Sequence, residues 1–250
     1  MRTEPSENDE ASFYVPTTTS TMDEARRLSG SAPRGFVHAG EQVAGRGRLP
    51  GRAWVGEAGA SLLVTFWFPA DAFGSAPLPM IAGLALVRAC SSWAADSGAR
   101  FREPLRLKWP NDALCGDRKL AGILCEAAGG TIYAGIGINR TQEVFPQGLR
   151  TEPTSILLET GSGPSAGELL ERLVASFRDL RGEGGRWKDE YESLLAWRGM
   201  RVRFRPGIDE DPIEGVIRGV DDSGAILIAP DGLSEAPSSA YHSGELLVRY

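Results

Sequence analysis

The chain has little of what metal centres and hydrolytic triads are built from. Its 250 residues include three cysteines and two histidines. Cys90, Cys115 and Cys125 form no CxxC pair, and an odd count points to free thiols rather than a disulfide framework. With imidazole only at His38 and His242, a histidine-rich zinc or iron centre is excluded. A Ser-His-Asp triad would rest on one isolated histidine with no nucleophile elbow in view. Long apolar runs are also missing. The stretches at 61–68 and 80–90 fall short of the roughly 18 to 20 residues that span a bilayer, so no membrane insertion is expected. The first ten residues, MRTEPSENDE, are polar and acidic where a secretory signal is basic and then apolar, which points to the cytoplasm. Net positive charge is absent too: 27 Lys and Arg against 33 Asp and Glu give a formal charge of −6. That balance argues against broad binding to nucleic acid or anionic membranes, both of which need basic surface.

What is present suits a self-sufficient globular chain. At 42% hydrophobic and 24% charged, the composition supports a sizeable core without metals or cross-links. Residues 1–12 read as a disordered tail, since polar and acidic residues dominate and nothing apolar repeats. A helix is expected to open at Ser20-Thr21, with Thr21 and Glu24 at capping-box spacing. SLLVTFWF at 61–68 reads as a buried strand, and 79–95 as a buried helix ended near Gly98. From 105 to 139, short apolar stretches broken by Pro110, Gly116 and Gly129-Gly130 read as an antiparallel meander. Two helices follow at 165–180, with Ser165 and Glu168 at capping spacing, and at 187–197. Beyond residue 199, short strands alternate with Pro-Gly, Asp-Asp-Ser-Gly and Asp-Gly turns, the texture of a small β-barrel docked on the larger domain. The expected class is therefore α+β, with a mixed or antiparallel sheet plus helices over 13–198 and a β domain over 199–250.

Two segments concentrate chemistry. Residues 45–52 hold three glycines and Arg46, Arg48 and Arg52, followed by Trp54. Glycines allow close backbone approach and guanidinium forks grip phosphate or carboxylate, so this is either an anion-holding loop or a solvated basic one. Its spacing matches neither a P-loop nor a dinucleotide fingerprint. In the second segment Lys108 and Lys119 are expected on adjacent strands of the meander, with Asp112 and Gly122 close by. Two ammonium groups on a rigid sheet suit charge development in acyl or nucleotidyl transfer, while a plain surface ion-pair ladder would look the same. Ser20 and Thr21 read as a helix cap that also presents N–H groups to a polar ligand. Gln42 and the strand bearing Gly135, Gly137 and Asn139 carry no decisive signal alone.

The stretches STMDEA, EQVAGRGRLPGRAW, KWPNDALCGDRKLAGILCE and GIGIN, in this order, resemble the biotin protein ligases over about residues 14–250. That resemblance implies a class II aminoacyl-tRNA synthetase-like catalytic domain and a C-terminal SH3-like barrel. It implies a two-step reaction in which biotin and ATP with Mg²⁺ give biotinyl-5′-AMP. A lysine of the biotin carboxyl carrier domain of acetyl-CoA carboxylase, or of another biotin-dependent carboxylase, then takes the biotinyl group. By position, Ser20, Thr21 and Gln42 fall on biotin-binding residues, Arg46 and Arg48 on the loop over biotin and phosphate, and Arg52 and Trp54 on the part that closes it. Lys119 matches the lysine at the biotin carboxylate and α-phosphate, and Gly122 lines the biotin pocket. Lys108 and Asp112 match the pair near the acceptor lysine, and Asn139 an adenylate-side residue. Catalysis is thus expected from Lys119, Arg48, Lys108 and Asp112, with no metal ligand assigned. The loop has Leu49-Pro50 where the family pattern has one residue, and Met22 stands where Asn is frequent. The short polar N-terminus points to the ligase-only type without a DNA-binding domain, as monomer or homodimer. A lipoate or octanoate ligase or transferase and a non-catalytic biotin sensor are the rival readings. An RNA- or DNA-binding role is disfavoured by the net charge.

Overall fold

In a computed structural model, which describes residues 10–49, 51, 53–54, 56–183, 186–207, 210–230 and 238–249, the apolar run at 61–68 lies inside a seven-stranded sheet. The chain runs β1 (Glu10–Thr18), α1 (Thr21–Leu28), β2 (Arg34–Gln42), β3 (Gly45–Arg46), β4 (Ala53–Trp54), β5 (Ser61–Pro69), α2 (Leu78–Ser97) and β6 (Leu105–Lys108). It continues through β7 (Asp112–Cys115), β8 (Arg118–Ala128), β9 (Thr131–Asn139), α3 (Ile156–Thr160), α4 (Ala166–Gly182) and α5 (Trp187–Leu194). The last strands are β10 (Arg201–Arg205), β11 (Ile213–Val220), β12 (Ile226–Pro230), β13 (Ser239–Tyr241) and β14 (Glu245–Arg249).

The large sheet has the order β1-β2-β5-β9-β8-β7-β6; β1 runs parallel to β2 and every other pair is antiparallel. The mixed sheet of an α+β fold is therefore present. β5 is buried along its length apart from Pro69 because both its faces are covered, which is why its sequence does not alternate. Leu62, Val64, Phe66 and Phe68 join the main core with α2 and α4, where Phe66, Phe68, Phe73 and Phe177 pack ring against ring. The alternate residues meet α1, through Trp67 in a small cluster with Met22 and Ala25 and through the Thr65 hydroxyl. Since α1 covers only part of that second face, the glycine-bearing stretch of β8 and β9 is left for something else.

Local signals explain the helix ends. Ser165 and Glu168 form the full capping box of α4. α2 begins after Pro77 and ends at Gly98, whose φ of 71° suits glycine. At 20 residues α2 is long and apolar enough to cross a membrane, beyond what the 80–90 run suggests, yet 72% of its apolar window is buried inside the protein, as befits a core helix.

Several expectations need correction. The tail expected through residue 12 does not include Glu10, Ala11 and Ser12, which pair with Arg34, Gly35 and Phe36 in β1–β2; residues 1–9 lie outside the described residues. The cap of α1 is Ser20, whose hydroxyl accepts the Met22 N–H at 3.3 Å, and Thr21 is the first helical residue. α5 stops at Leu194, since Leu195 turns extended to pair with Leu107 and Trp197 takes a φ of 62°.

The C-terminal β domain is a five-stranded antiparallel sheet in the order β13-β12-β11-β10-β14, and β13 had no sequence signal. Its apolar face, including Val202, Phe204, Ile217 and Leu246, is continuous with the main core. Trp109 is the joint: it is buried, its indole N–H donates to the Gly224 carbonyl at 2.9 Å, and its ring meets Phe204 edge-on. Trp109→Ala is expected to cost about 3–5 kcal/mol of stability, and Trp109→Phe, which keeps a ring and loses one hydrogen bond, about 1–3 kcal/mol. Urea unfolding of the two variants checks both the size and the order of these losses.

Candidate active site

Gly122 on β8 sits opposite Gly137 on β9, and both face the side of the sheet that α1 leaves open. The Trp54 ring lies across them: a Cβ on Gly137 would come within 2.7 Å of Cε2, and one on Gly122 within 3.0 Å of Cζ3. Glycine is required here by this close approach. Lys119 shares that face although it lies three positions before Gly122, a spacing that regular alternation would put on opposite faces. A bulge resolves this. Ala113 pairs with Ala121 but Leu114 with Lys119, so Leu120 is the extra residue and points into the core.

These strands floor a cavity of about 480 Å³. Its walls are the start of α1, the β3–β4 hairpin, the turn after β6, the segment through Phe145, Arg150 and Pro153, and Glu245 and Leu246 of the C-terminal sheet. Ser20, Thr21, Gln42, Arg46, Arg48, Trp54, Lys108, Asp112, Lys119, Gly122 and Asn139 all line it. Of the expected site residues, only Arg52 lies outside the described residues.

The polar groups are already arranged. Gln42 Oε1 accepts from the Thr21 backbone N–H at 2.6 Å and from its hydroxyl at 2.9 Å, and the Thr65 hydroxyl donates to Thr21 Oγ1 at 2.9 Å. With its oxygen engaged, Gln42 has its amide N–H groups to offer a ligand. Asn139 is buried and donates to the Thr154 carbonyl at 2.9 Å, so it also anchors the cavity wall.

Cations outnumber anions. Arg46, Arg48, Lys108, Lys119 and Arg150 line the cavity against Asp112 and Glu245, a positive site in an acidic chain and so a place for a polyanion. Lys119 Nζ pairs with Asp112 at 2.6 Å, Arg150 with Glu245 at 2.8 Å, and Arg46 grips Asp23 with two bonds of 2.7 and 3.0 Å. Arg48 donates to the Gly244 carbonyl at 2.7 Å. Lys108 lies 5.0 Å from the Trp197 ring centre, and burial pulls its pKa below the ordinary lysine value, opposed by Asp112 and Glu245. The clustered arginines are thus met by partners inside the protein. Among the described residues, no group of three or more His, Cys, Asp or Glu side chains forms a metal cage.

Sequence reasoning missed Thr65, Phe145, Arg150, Glu245 and Leu246, which reach the cavity from a core strand, an irregular loop and the far end of the chain. None stands in a motif, and only the charge of Arg150 and Glu245 offered any signal.

The model of the biotin/lipoate A/B protein ligase family matches residues 12–141. The chain belongs to that family. A member from Paracoccus denitrificans, named biotin--[acetyl-CoA-carboxylase] ligase, is 32% identical over 91% of this chain and 98% of its own length. One of the same name from Mycobacterium tuberculosis is 32% identical over 83% of this chain and 78% of its own length. Among solved structures, the biotin protein ligase from Aquifex aeolicus in complex with biotin and ATP shares the fold: TM-score 0.74 and 24% identity, covering 96% of this chain and 97% of the other. Within this family fold the glycine floor has a measurable cost of alteration. Gly137→Ala, which forces a methyl against the Trp54 ring, is expected to lose about 1–3 kcal/mol in urea unfolding. Gly30→Ala, whose methyl would meet nothing, is the control.

Proposed function

We propose that this chain is an ATP-dependent ligase that activates biotin as biotinyl-5′-AMP and transfers it to a lysine of a biotin carboxyl carrier domain. The observation that carries this is one cavity, floored by glycine and rich in cations, that collects the candidate residues in a chain matching a biotin--[acetyl-CoA-carboxylase] ligase over 98% of that ligase's length.

In the first step the biotin carboxylate attacks the α-phosphorus of MgATP, a P–O bond forms, and pyrophosphate leaves. Charge builds on the phosphoryl oxygens. Lys119, set on the bulge of β8, and Arg48, held against Gly244, are the cations that stabilise it. Lys119 is carried by a packed strand, so its backbone is fixed before the charge appears, while Arg48 lies in the loop after β3. Ser20, Thr21 and Gln42 form the hydrogen-bonding end of the site for the biotin ring, with Arg46 and Gly122 alongside. Trp54 and Asn139 serve the adenylate side, and Arg52 is assigned there from the sequence pattern alone. Mg²⁺ enters with the nucleotide, consistent with its habit of keeping phosphate and water ligands.

In the second step the neutral amine of the carrier lysine attacks the acyl carbon of the mixed anhydride. The amide bond forms, the amine loses a proton, and AMP leaves. Asp112 is the carboxylate placed to take that proton once Lys119 turns to the phosphoryl group, and Lys108 adds positive charge nearby. The acceptor belongs to a biotin-dependent carboxylase, with that of acetyl-CoA carboxylase as the first candidate, and the reaction is placed in the cytoplasm.

Mass spectrometry of the protein incubated with MgATP and biotin, lipoate or octanoate, each with and without a carrier domain, tests the reading. Biotinyl-AMP is expected without the carrier and a biotinylated carrier with it. Adenylate from lipoate or octanoate alone would overturn the substrate, and bound biotin with no adenylate would make the protein a sensor. Lys119→Ala and Arg48→Ala are expected to slow adenylate formation by about two to three orders of magnitude. Near-normal rates would show that these two residues are wrongly assigned.

A further inference from the structure

We propose that Glu159, a residue outside the cavity, is a positioning residue for Lys119. The proposal rests on the ligase reading above for the role of Lys119 and on the geometry below for everything else.

A bulge places Lys119 on the ligand face, and a bulge disrupts regular ladder pairing where it occurs. On the other edge of β8, where pairing with β9 ends at Ala121 and Ile138, a second segment takes over. The Lys119 N–H donates to the Glu152 carbonyl at 2.7 Å, and the Thr154 N–H donates to the Lys119 carbonyl at 2.8 Å, forming a parallel bridge between Lys119 and Pro153. Residues 152–154 belong to no strand of their own, so what fixes them fixes Lys119.

Glu159 on α3 does this. Its side chain is almost fully buried, and both carboxylate oxygens are used. Arg118, next to Lys119 in sequence, donates to it through Nε at 2.9 Å and Nη2 at 2.8 Å. The Thr154 hydroxyl donates to Oε1 at 2.5 Å. One carboxylate therefore ties the residue before Lys119 to the segment bonded to Lys119. Asn139 completes the frame through the Thr154 carbonyl. A bidentate pair on a buried carboxylate, with a third donor, is a demanding and directional arrangement, although the Arg118 guanidinium itself is partly exposed. Small displacements of a group that acts on a transition state carry large rate penalties, so the frame is a means of holding Lys119 at working distance.

The test compares wild type, Glu159→Gln, and Thr154→Val, which removes only the hydroxyl donor, in single-turnover formation of biotinyl-AMP. Both variants are expected to lower the rate by about ten- to a hundredfold, with KM for biotin within twofold of wild type. In a Lys119→Met background the same substitutions are expected to have no further effect, because the group they position is gone. Amide hydrogen exchange should quicken at Lys119 and Thr154 and stay unchanged in α2. A rate equal to wild type in both variants, or an undiminished further loss in the Lys119→Met background, would overturn the proposal. Unchanged exchange at both amides would overturn it as well. If Glu159→Gln does not fold, Thr154→Val decides by the same criteria. Absence of biotinyl-AMP in the wild-type arm would instead sink the ligase reading, while the exchange arm would still test the frame.

Discussion

The burial of β5 on both faces is the constraint on which the rest depends. A strand covered on one side by α2 and α4 and on the other by α1 cannot shift register without exposing Phe66 or Trp67, so it fixes β9 beside it and β8 beyond. The cavity floor is therefore an extension of the core, made of the strands next to the best-packed one. α1 is short and meets β8 only toward Leu124 and Glu126, so Gly122 and Gly137 leave room for the Trp54 ring and a ligand. The binding space comes from an incomplete third layer.

The second theme is how an acidic chain keeps a cluster of cations together. Like charges gathered in a partly desolvated cavity repel, and the fold meets the cost with counter-ions close at hand: Asp112 for Lys119, Asp23 for Arg46, Glu245 for Arg150, and a main-chain carbonyl for Arg48. These partners allow the cavity to form without an anion. They also mean that binding a phosphate or carboxylate is an exchange of partners, in which the incoming anion must compete with groups already at hydrogen-bonding distance.

Much of this was legible in the sequence, and what was not follows a pattern. The SLLVTFWF strand, the Gly98 helix stop, the Ser165–Glu168 capping box and the hairpin strands on either side of Gly116 and Gly129-Gly130 were readable because each depends on a few neighbouring residues. The residues Lys108, Asp112, Lys119 and Gly122 were readable as a group because one meander carries them, but Lys108 and Lys119 are not on adjacent strands, since β7 with Asp112 stands between β6 and β8. Strand β1 was missed because Pro16 and a run of threonines hide its alternation, and β2 because two of the residues it buries are Gly35 and Ala39. The bulge at Leu120 was invisible because one extra residue leaves no mark on composition. Arg150 and Glu245 were beyond reach for a different reason: their place is decided by how two sheets dock, and docking is set by Trp109, whose partner carbonyl lies 115 residues further along the chain.

The wall that the C-terminal sheet lends to the cavity has a consequence for the order of events during synthesis. Arg48 reaches the carbonyl of Gly244, 196 residues away, and Leu246 and Glu245 line the same space. A nascent chain that has emerged as far as β9 already carries the floor, the arginine hairpin and Lys119, but one side of the cavity is missing until β14 has been made. The wall is thus supplied by a part of the chain made later than the floor it covers.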